Sequence, residues 1–458
     1  MGNILQNAFY SGMAYTIIGL LCFILLIYVT LRIYNWIKDS KCFGDCNHLH
    51  TYLKFLLKLR TKKIGLDCFI DETFLYRRCK GYISINLIFT KWILVFRPEY
   101  IKMLLDDDEN INRPLMKYAQ KGLAADSLLF RNGEKWRIRK KLLAPTFNQK
   151  TLDKFQSVID ENAKRFVDEL KESCGKEWTP VFPIIRKHVF SILLGTIIGI
   201  SRKSKYFGMY STFMELDEVM GSSLVRRIFN VFLWSNTIFS LTKYGRKYNK
   251  CKRTARELVK DIVMERLQEL NTQDLDENDR LSCTDLLLLS LNKNPDVTMK
   301  NVIDDIVVFL VAGYHTFSIT LAWAIYELGR YPNIQRKIQN ELDEIFRDDP
   351  NRSTTKEDLS KMAYLQLFIK EILRKYPALP VTMRSSEKML RFGEEMIPKN
   401  SIYFIDIFHM QRNPEIYTNP EVIDPDRFLE ENSKRRHPYS FVPFSAGIRK
   451  CIGKDFNF

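Results

Sequence analysis

The sequence predicts a mainly α-helical protein with a small β part, tethered at its N-terminus by one transmembrane helix. Three observations carry this. Residues 13–31, MAYTIIGLLCFILLIYVTL, contain no charged side chain. Between about 100 and 380, apolar residues recur three and four apart, as in ENAKRFVDELKESC, ARELVKDIVMERLQEL and NIQRKIQNELDEIF, which is the spacing of one helix face. Runs rich in Ile, Val, Phe and Thr occur at 81–96 (GYISINLIFTKWILVF) and strand-like pieces return at 380–408; both read as short strands.

As a helix, the uncharged run spans roughly 28 Å, the thickness of a bilayer's hydrocarbon core. It is too long, and lacks the basic start, for a cleaved signal sequence. Arg32, Lys38 and Lys41 follow it, so the positive-inside rule keeps the remainder cytosolic. The opening Met-Gly-Asn is no myristoylation site, because Gln6 stands where Ser or Thr is needed. Residues 1–34 therefore form the anchor. Residues 35–458 form one domain, since no Gly/Ser or Pro linker interrupts them. Within it, 49–64 reads as a basic amphipathic helix.

CFGDCNHLH brings Cys42, Cys46, His48 and His50 close in sequence. The spacing is cramped and no second ligand pair follows, so no zinc site is expected. The nine cysteines are an odd number, and a cytosolic body argues against disulfides. The net charge of +16 is spread along the chain. No nucleic-acid module accompanies it; an anionic membrane surface or an acidic protein docking on a basic face suits it better. Met299–Tyr331 is a proline-free apolar run, expected as a helix of about 50 Å through the core. Gly313 is its one point of weakness. A turn-rich stretch with five prolines covers 414–443.

The chemistry gathers at the C-terminus, in PFSAGIRKCIGKDFNF (443–458). Its frame is Phe444-x-x-Gly447-x-Arg449-x-Cys451-x-Gly453. A cysteine that binds a metal does so as its anion, and the N–H groups of a glycine-rich turn help to keep it ionised. The glycines permit close approach to a flat ligand, and Arg449 offers a fork for a carboxylate. This pattern resembles the cysteine loop of the cytochromes P-450, the haem-thiolate monooxygenases. Three further segments resemble the same family: Glu371-Ile-Leu-Arg374, Pro425-Asp426-Arg427-Phe428, and NGEKWRIRKKLLAPTF around Trp136. The likeness covers about residues 50–458. It is closest to the fourth P-450 family, that of fatty-acid ω-hydroxylases and many invertebrate enzymes.

The resemblance implies the P-450 fold, with haem b held between the long central helix and the cysteine loop. Cys451 is then the axial ligand. Trp136, Lys140, Arg384 and Arg449 face the haem propionates, beside Phe444 and Gly447. Lys140 stands where the family has arginine, and loses the fork. Glu371, Arg374 and Arg427 become a structural triad that locks the loop region. In the central helix, the family's acid-threonine pair is reduced to Gly313, His315 and Thr316, with Phe317 in place of the second threonine. Gly313 is expected to open a groove for dioxygen and Thr316 to supply the hydroxyl. His315 could relay protons, ligate iron, or serve as a core residue. Ala312 stands where relatives carry the Glu that bonds haem covalently, so haem is expected to be non-covalent.

The implied activity is insertion of one atom of dioxygen into a fatty acid, hydrocarbon or foreign lipophile. Electrons come from NADPH through a reductase, with a cytochrome b-type donor as a second source. The implied location is the endoplasmic reticulum membrane. Two departures are read as departures: Pro98 is the chain's first proline, so the usual hinge after the anchor is absent, and seven residues follow Cys451, so the chain reads as C-terminally truncated. Rival readings are a haem-thiolate isomerase or lyase, and a non-catalytic membrane protein.

Overall fold

The helices begin and end where side chains can satisfy their terminal groups. Thr298 accepts from the Asn301 N–H and Asn301 accepts from that of Thr298, a reciprocal box that starts the longest helix. Asn148 accepts from Thr151 N–H at 2.8 Å at the head of another. Pro98 and Pro332 occupy first-turn positions, where the missing N–H costs nothing.

The computed structural model describes residues 81–454 except 87–90, most of 108–125, 201–203, 273–281, most of 348–351 and the single positions 292 and 296. The chain divides into two compact units, Met1–Trp92 and Ile93–Phe458. In the first, the described part is strand β1 (Tyr82–Asn86) and the start of β2 (Lys91–Val95). The expected anchor, its boundary at 34/35, the 49–64 helix and Cys42–His50 lie outside the described residues.

The second unit is mainly helical, as expected. Its helices are α1 (Pro98–Asp106), α2 (Gly133–Leu143), α3 (Gln149–Lys171), α4 (Val181–Leu193), α5 (Tyr210–Phe229), α6 (Asn236–Leu241), α7 (Lys243–Thr272), α8 (Cys283–Leu289), α9 (Met299–Arg330), α10 (Pro332–Ile345), α11 (Lys356–Lys361) and α12 (Ala363–Lys375). Its β part is small. β3 (Val381–Ser385) pairs antiparallel with β6 (Ile402–Asp406), Arg384 opposite Tyr403, and β4 (Leu390–Phe392) forms a hairpin with β5 (Glu395–Ile397).

The central helix α9 runs unbroken through Gly313. Its first half is enclosed: Val302, Ile306, Leu310 and Tyr314 pack with Val189 and Phe190 of α4, Val259 and Ile262 of α7, and Leu287 of α8 in one core. The second half is not enclosed all round, contrary to the expectation from its composition. Ala312, His315, Trp323 and Tyr326 form an exposed stripe at helical spacing. Glu327 is buried and accepts from Lys375 Nζ at 3.2 Å, and Trp323 of the stripe, though partly exposed, stacks on Tyr376 at 4.0 Å. Among the described residues, Val181–Ile198 and Met299–Arg330 are long and apolar enough to cross a bilayer; both contribute to the core cluster.

Candidate functional site

The cysteine loop is fixed to the fold before Cys451 is reached. Gly447 has φ +68°, and a Cβ there would stand 1.8 Å from the Leu105 carbonyl oxygen of α1. No other residue type permits this approach. The Cys451 N–H donates to Phe444 O at 2.9 Å, closing the loop on itself, and the cysteine side chain is left exposed. Gly453 lies against Phe147, 3.7 Å from where its Cβ would be. The Phe147 ring is 5.7 Å from that of Phe309 on the central helix. The loop therefore ends beside α9.

Basic side chains collect around this loop. Arg449 is buried and donates to Arg131 O at 2.6 Å and Asn132 Oδ1 at 3.0 Å. Its guanidinium lies 3.8 Å over the Trp136 ring. Lys140 Nζ is 5.2 Å from the centroid of the same indole and donates to Ile448 O. Burial, then the charges of Lys450 and Arg449, hold the Lys140 ammonium below its usual pKa. Arg384 of β3 donates to Ser445 Oγ at 3.2 Å. Arg139 faces the other way: it is buried 3.5 Å from Asp305 Oδ2, so Lys140 is the α2 cation at the loop.

A second group lies between α12 and the 411–428 segment. Arg374 donates from Nε and Nη2 to the two oxygens of Glu371, at 2.7 and 2.8 Å, and both side chains are wholly buried. Arg427 Nε stands 3.5 Å from Glu371 Oε1, and the Asp424 N–H donates to the same oxygen at 3.0 Å. Arg374 also donates to Gln411 O and Pro420 O. The three residues expected as a triad are thus brought together.

On the central helix, Thr316 Oγ1 donates back to Ala312 O at 2.8 Å. The space at Gly313 is filled from α4: a Cβ there would meet Leu193 Cδ1 at 3.0 Å. What this glycine visibly permits is close packing of α4 on α9. His315 is half exposed, and its Nδ1 lies 3.5 Å from Asp217 Oδ2 of α5.

Three residues that make these contacts escaped the sequence reading. Gln411 is fully buried; its Nε2 donates to the Leu373 and Arg374 carbonyls at the end of α12, and its Oε1 accepts from Val442 N–H. It joins the triad helix to the cysteine loop. Asp305 takes Arg139, and Asp217 faces His315. A lone Gln in a loop and an Asp on an amphipathic helix carry no local signal. As a donor set, an exposed thiol on a loop that Lys140 and Arg384 contact and that carries Arg449 suits a flat ligand bearing carboxylates and a thiolate-binding metal.

Residues 72–457 match the family model described as Cytochrome P450. Cytochrome P450 4V2 of Mus musculus is 30% identical over 380 residues, covering 80% of this chain and 71% of its own. Cytochrome P450 4c3 of Drosophila melanogaster is 29% identical over the same shares. Probable cytochrome P450 4aa1, also from Drosophila melanogaster, is 28% identical over 95% of this chain and 86% of its own. Among solved structures, retinoic acid-bound cyanobacterial CYP120A1 superposes with a TM-score of 0.68 over 83% of this chain and 82% of its own, at 22% identity. That last likeness is one of fold.

Proposed function

Because the chain belongs to the cytochrome P450 family, and is with it a haem-thiolate monooxygenase, we propose that Cys451 is the axial ligand of a non-covalent haem b and that the chain oxidises lipophilic molecules, fatty acids first among them. One observation carries this: the exposed Cys451 side chain, on a loop closed by its own N–H, contacted by Lys140 and Arg384, and carrying Arg449 over the Trp136 ring. The residues present fit haem. Burial, and after it the like charge of Lys450 and Arg449, depresses Lys140, and two propionates would relieve the repulsion. Gly447 keeps the loop tight against α1.

When bound, the haem supplies dioxygen activation, with the thiolate favouring O–O cleavage. The chain's own residues do the rest. Lys140, Arg384 and Arg449 hold carboxylates, with Trp136 as the flat support beneath two of those cations. Glu371, Arg374 and Arg427 keep the preceding segment in place. The Thr316 hydroxyl and the half-exposed His315 hold and pass protons on the open side of the central helix. Electrons from NADPH arrive through a reductase, or a cytochrome b-type donor, on a groove of about 660 Å³ lined by Lys356, Lys370, Lys450 and Lys454; its basic character supports docking of an acidic partner. An uncharged run at 13–31 followed by Arg32, Lys38 and Lys41 supports a single-pass anchor, 1–34, in the endoplasmic reticulum membrane, with the domain 35–458 cytosolic.

The test is spectroscopic. Purified protein, reduced and exposed to carbon monoxide, is expected to show the red-shifted Soret band of thiolate-bound iron. Cys451→Ser should abolish it, and Cys174→Ser, at another exposed thiol, should leave it intact. Folded protein without haem would defeat the reading.

A further inference from the structure

The position that in related helices carries an acid is His315 here, yet a carboxylate stands beside it, supplied by a different helix. Asp217 of α5 places Oδ2 3.5 Å from His315 Nδ1, with 14% of the aspartate side chain exposed against 47% of the histidine's. Arg186 of α4 completes the group: its Nη2 lies 3.6 Å from Asp217 Oδ2 and donates to the Tyr314 hydroxyl at 3.3 Å. Tyr314 is fully buried, one residue from His315. Burial pushes the Asp217 carboxyl upward, but hydrogen bonds from His315 and Tyr314, with the charges of His315 and Arg186, hold it below the usual carboxylate range. Asp217 is therefore an anion at neutral pH, fixed from two helices and turned toward one ring nitrogen. An ion pair with a half-exposed partner contributes about 0–1 kcal/mol to stability, so stability alone is a poor account of four polar groups converging here.

We propose that Asp217 is the positioning carboxylate of the proton-delivery site, replacing from α5 the acid that the central helix lacks. It keeps His315 with Nδ1 protonated and facing α5. Nε2 is then the nitrogen that takes a proton from solvent and releases it toward the Thr316 side of the helix. Asp217 stays ionised throughout and stabilises the imidazolium that forms in between, so no net charge is left behind. Which nitrogen of a histidine exchanges its proton is set by the bond the other one makes. This inference rests on the monooxygenase reading above.

Cumene hydroperoxide tests it without a reductase or a known substrate. Heterolysis of its O–O bond sends the bonding pair and a proton to the cumyloxy oxygen, yields 2-phenylpropan-2-ol, and would leave the other oxygen atom and two oxidising equivalents with the haem. Homolysis yields the cumyloxy radical, which fragments to acetophenone. With the haem-loaded full chain, Asp217→Asn is expected to lower the alcohol-to-ketone ratio about tenfold, less than the roughly hundredfold or more that a proton-transfer group itself contributes, because Asp217 positions that group and does not replace it. Asp217→Glu should recover most of it, and Asp217→Asn with His315→Gln should be no worse than either alone. In urea unfolding, the double variant's midpoint shift should be smaller than the sum of the single shifts, a readout independent of turnover. A ratio unchanged in Asp217→Asn while the carbon monoxide band is intact overturns this inference alone, as do additive unfolding shifts. Absence of the band from the parent protein overturns the monooxygenase reading, and this inference with it.

Discussion

Gly447 and Gly133 both adopt left-handed backbone, at φ +68° and +61°, but their surroundings differ. A Cβ at Gly447 would collide with the Leu105 carbonyl at 1.8 Å, whereas one at Gly133 meets nothing within 4 Å. Gly133→Ala should therefore cost only the conformational term, about 1–2 kcal/mol. Gly447→Ala must also move α1 or the loop, and should cost about 3–4 kcal/mol, with loss of haem retention. Urea unfolding of the two variants checks the contrast. The glycine in the cysteine pattern was visible in the sequence. Its actual obstacle, a carbonyl more than three hundred residues earlier in the chain, was not. The same holds for the cations. Arg139 and Lys140 are neighbours in the chain, and only the direction of each side chain assigns Arg139 to Asp305 and Lys140 to the loop.

The first turns of the central helix act as a clamp. Asp304 and Asp305, both wholly buried, accept the N–H groups of Asp126 at 3.0 Å and Leu128 at 2.5 Å, and pair with Arg256 and Arg139. The clamped segment then offers the Arg131 carbonyl to Arg449. Burial dominates at Asp305 and, against the pull of Arg139, raises its pKa to about 7. An unfolded aspartate titrates near ~3.9. The folded state thus binds this proton more tightly between those values, and its contribution to stability is full below about pH 4 and lost as pH rises through about 7. Asp305→Asn should flatten that limb of the stability-pH curve, measured by urea unfolding at fixed salt. A curve of unchanged slope would show that another group dominates. The helix itself was legible from its proline-free apolar run. The clamp was not, because an Asp-Asp pair within a helix looks like a solvated face until its partners are seen.

At the scale of the whole molecule, charge is the property that the fold redistributes. The +16 is scattered in sequence, yet Lys356 of α11, Lys370 of α12 and Lys450 and Lys454 after the loop line one groove. Reversing two of them, Lys356→Glu with Lys370→Glu, should raise the apparent KM for a reductase about tenfold at low salt. The gap should narrow at high salt as screening weakens the field. The carbon monoxide band should stay unchanged, since neither residue touches the cysteine. Equal KM values at low salt would place the electron donor elsewhere.

The amino-acid sequence by itself determined the helical class, the long central helix, the cysteine loop and the residue pairs of the triad, because periodicity and motif spacing are properties of neighbours along the chain. The tertiary structure decided which cation faces the loop, that Leu193 fills the space at Gly313, that Gln411 couples the triad helix to the cysteine loop, and that His315 faces a carboxylate from another helix. Each of these depends on contacts across tens to hundreds of residues, or on where a side chain turns once burial has selected its side of a helix. Short-range pattern has no access to either.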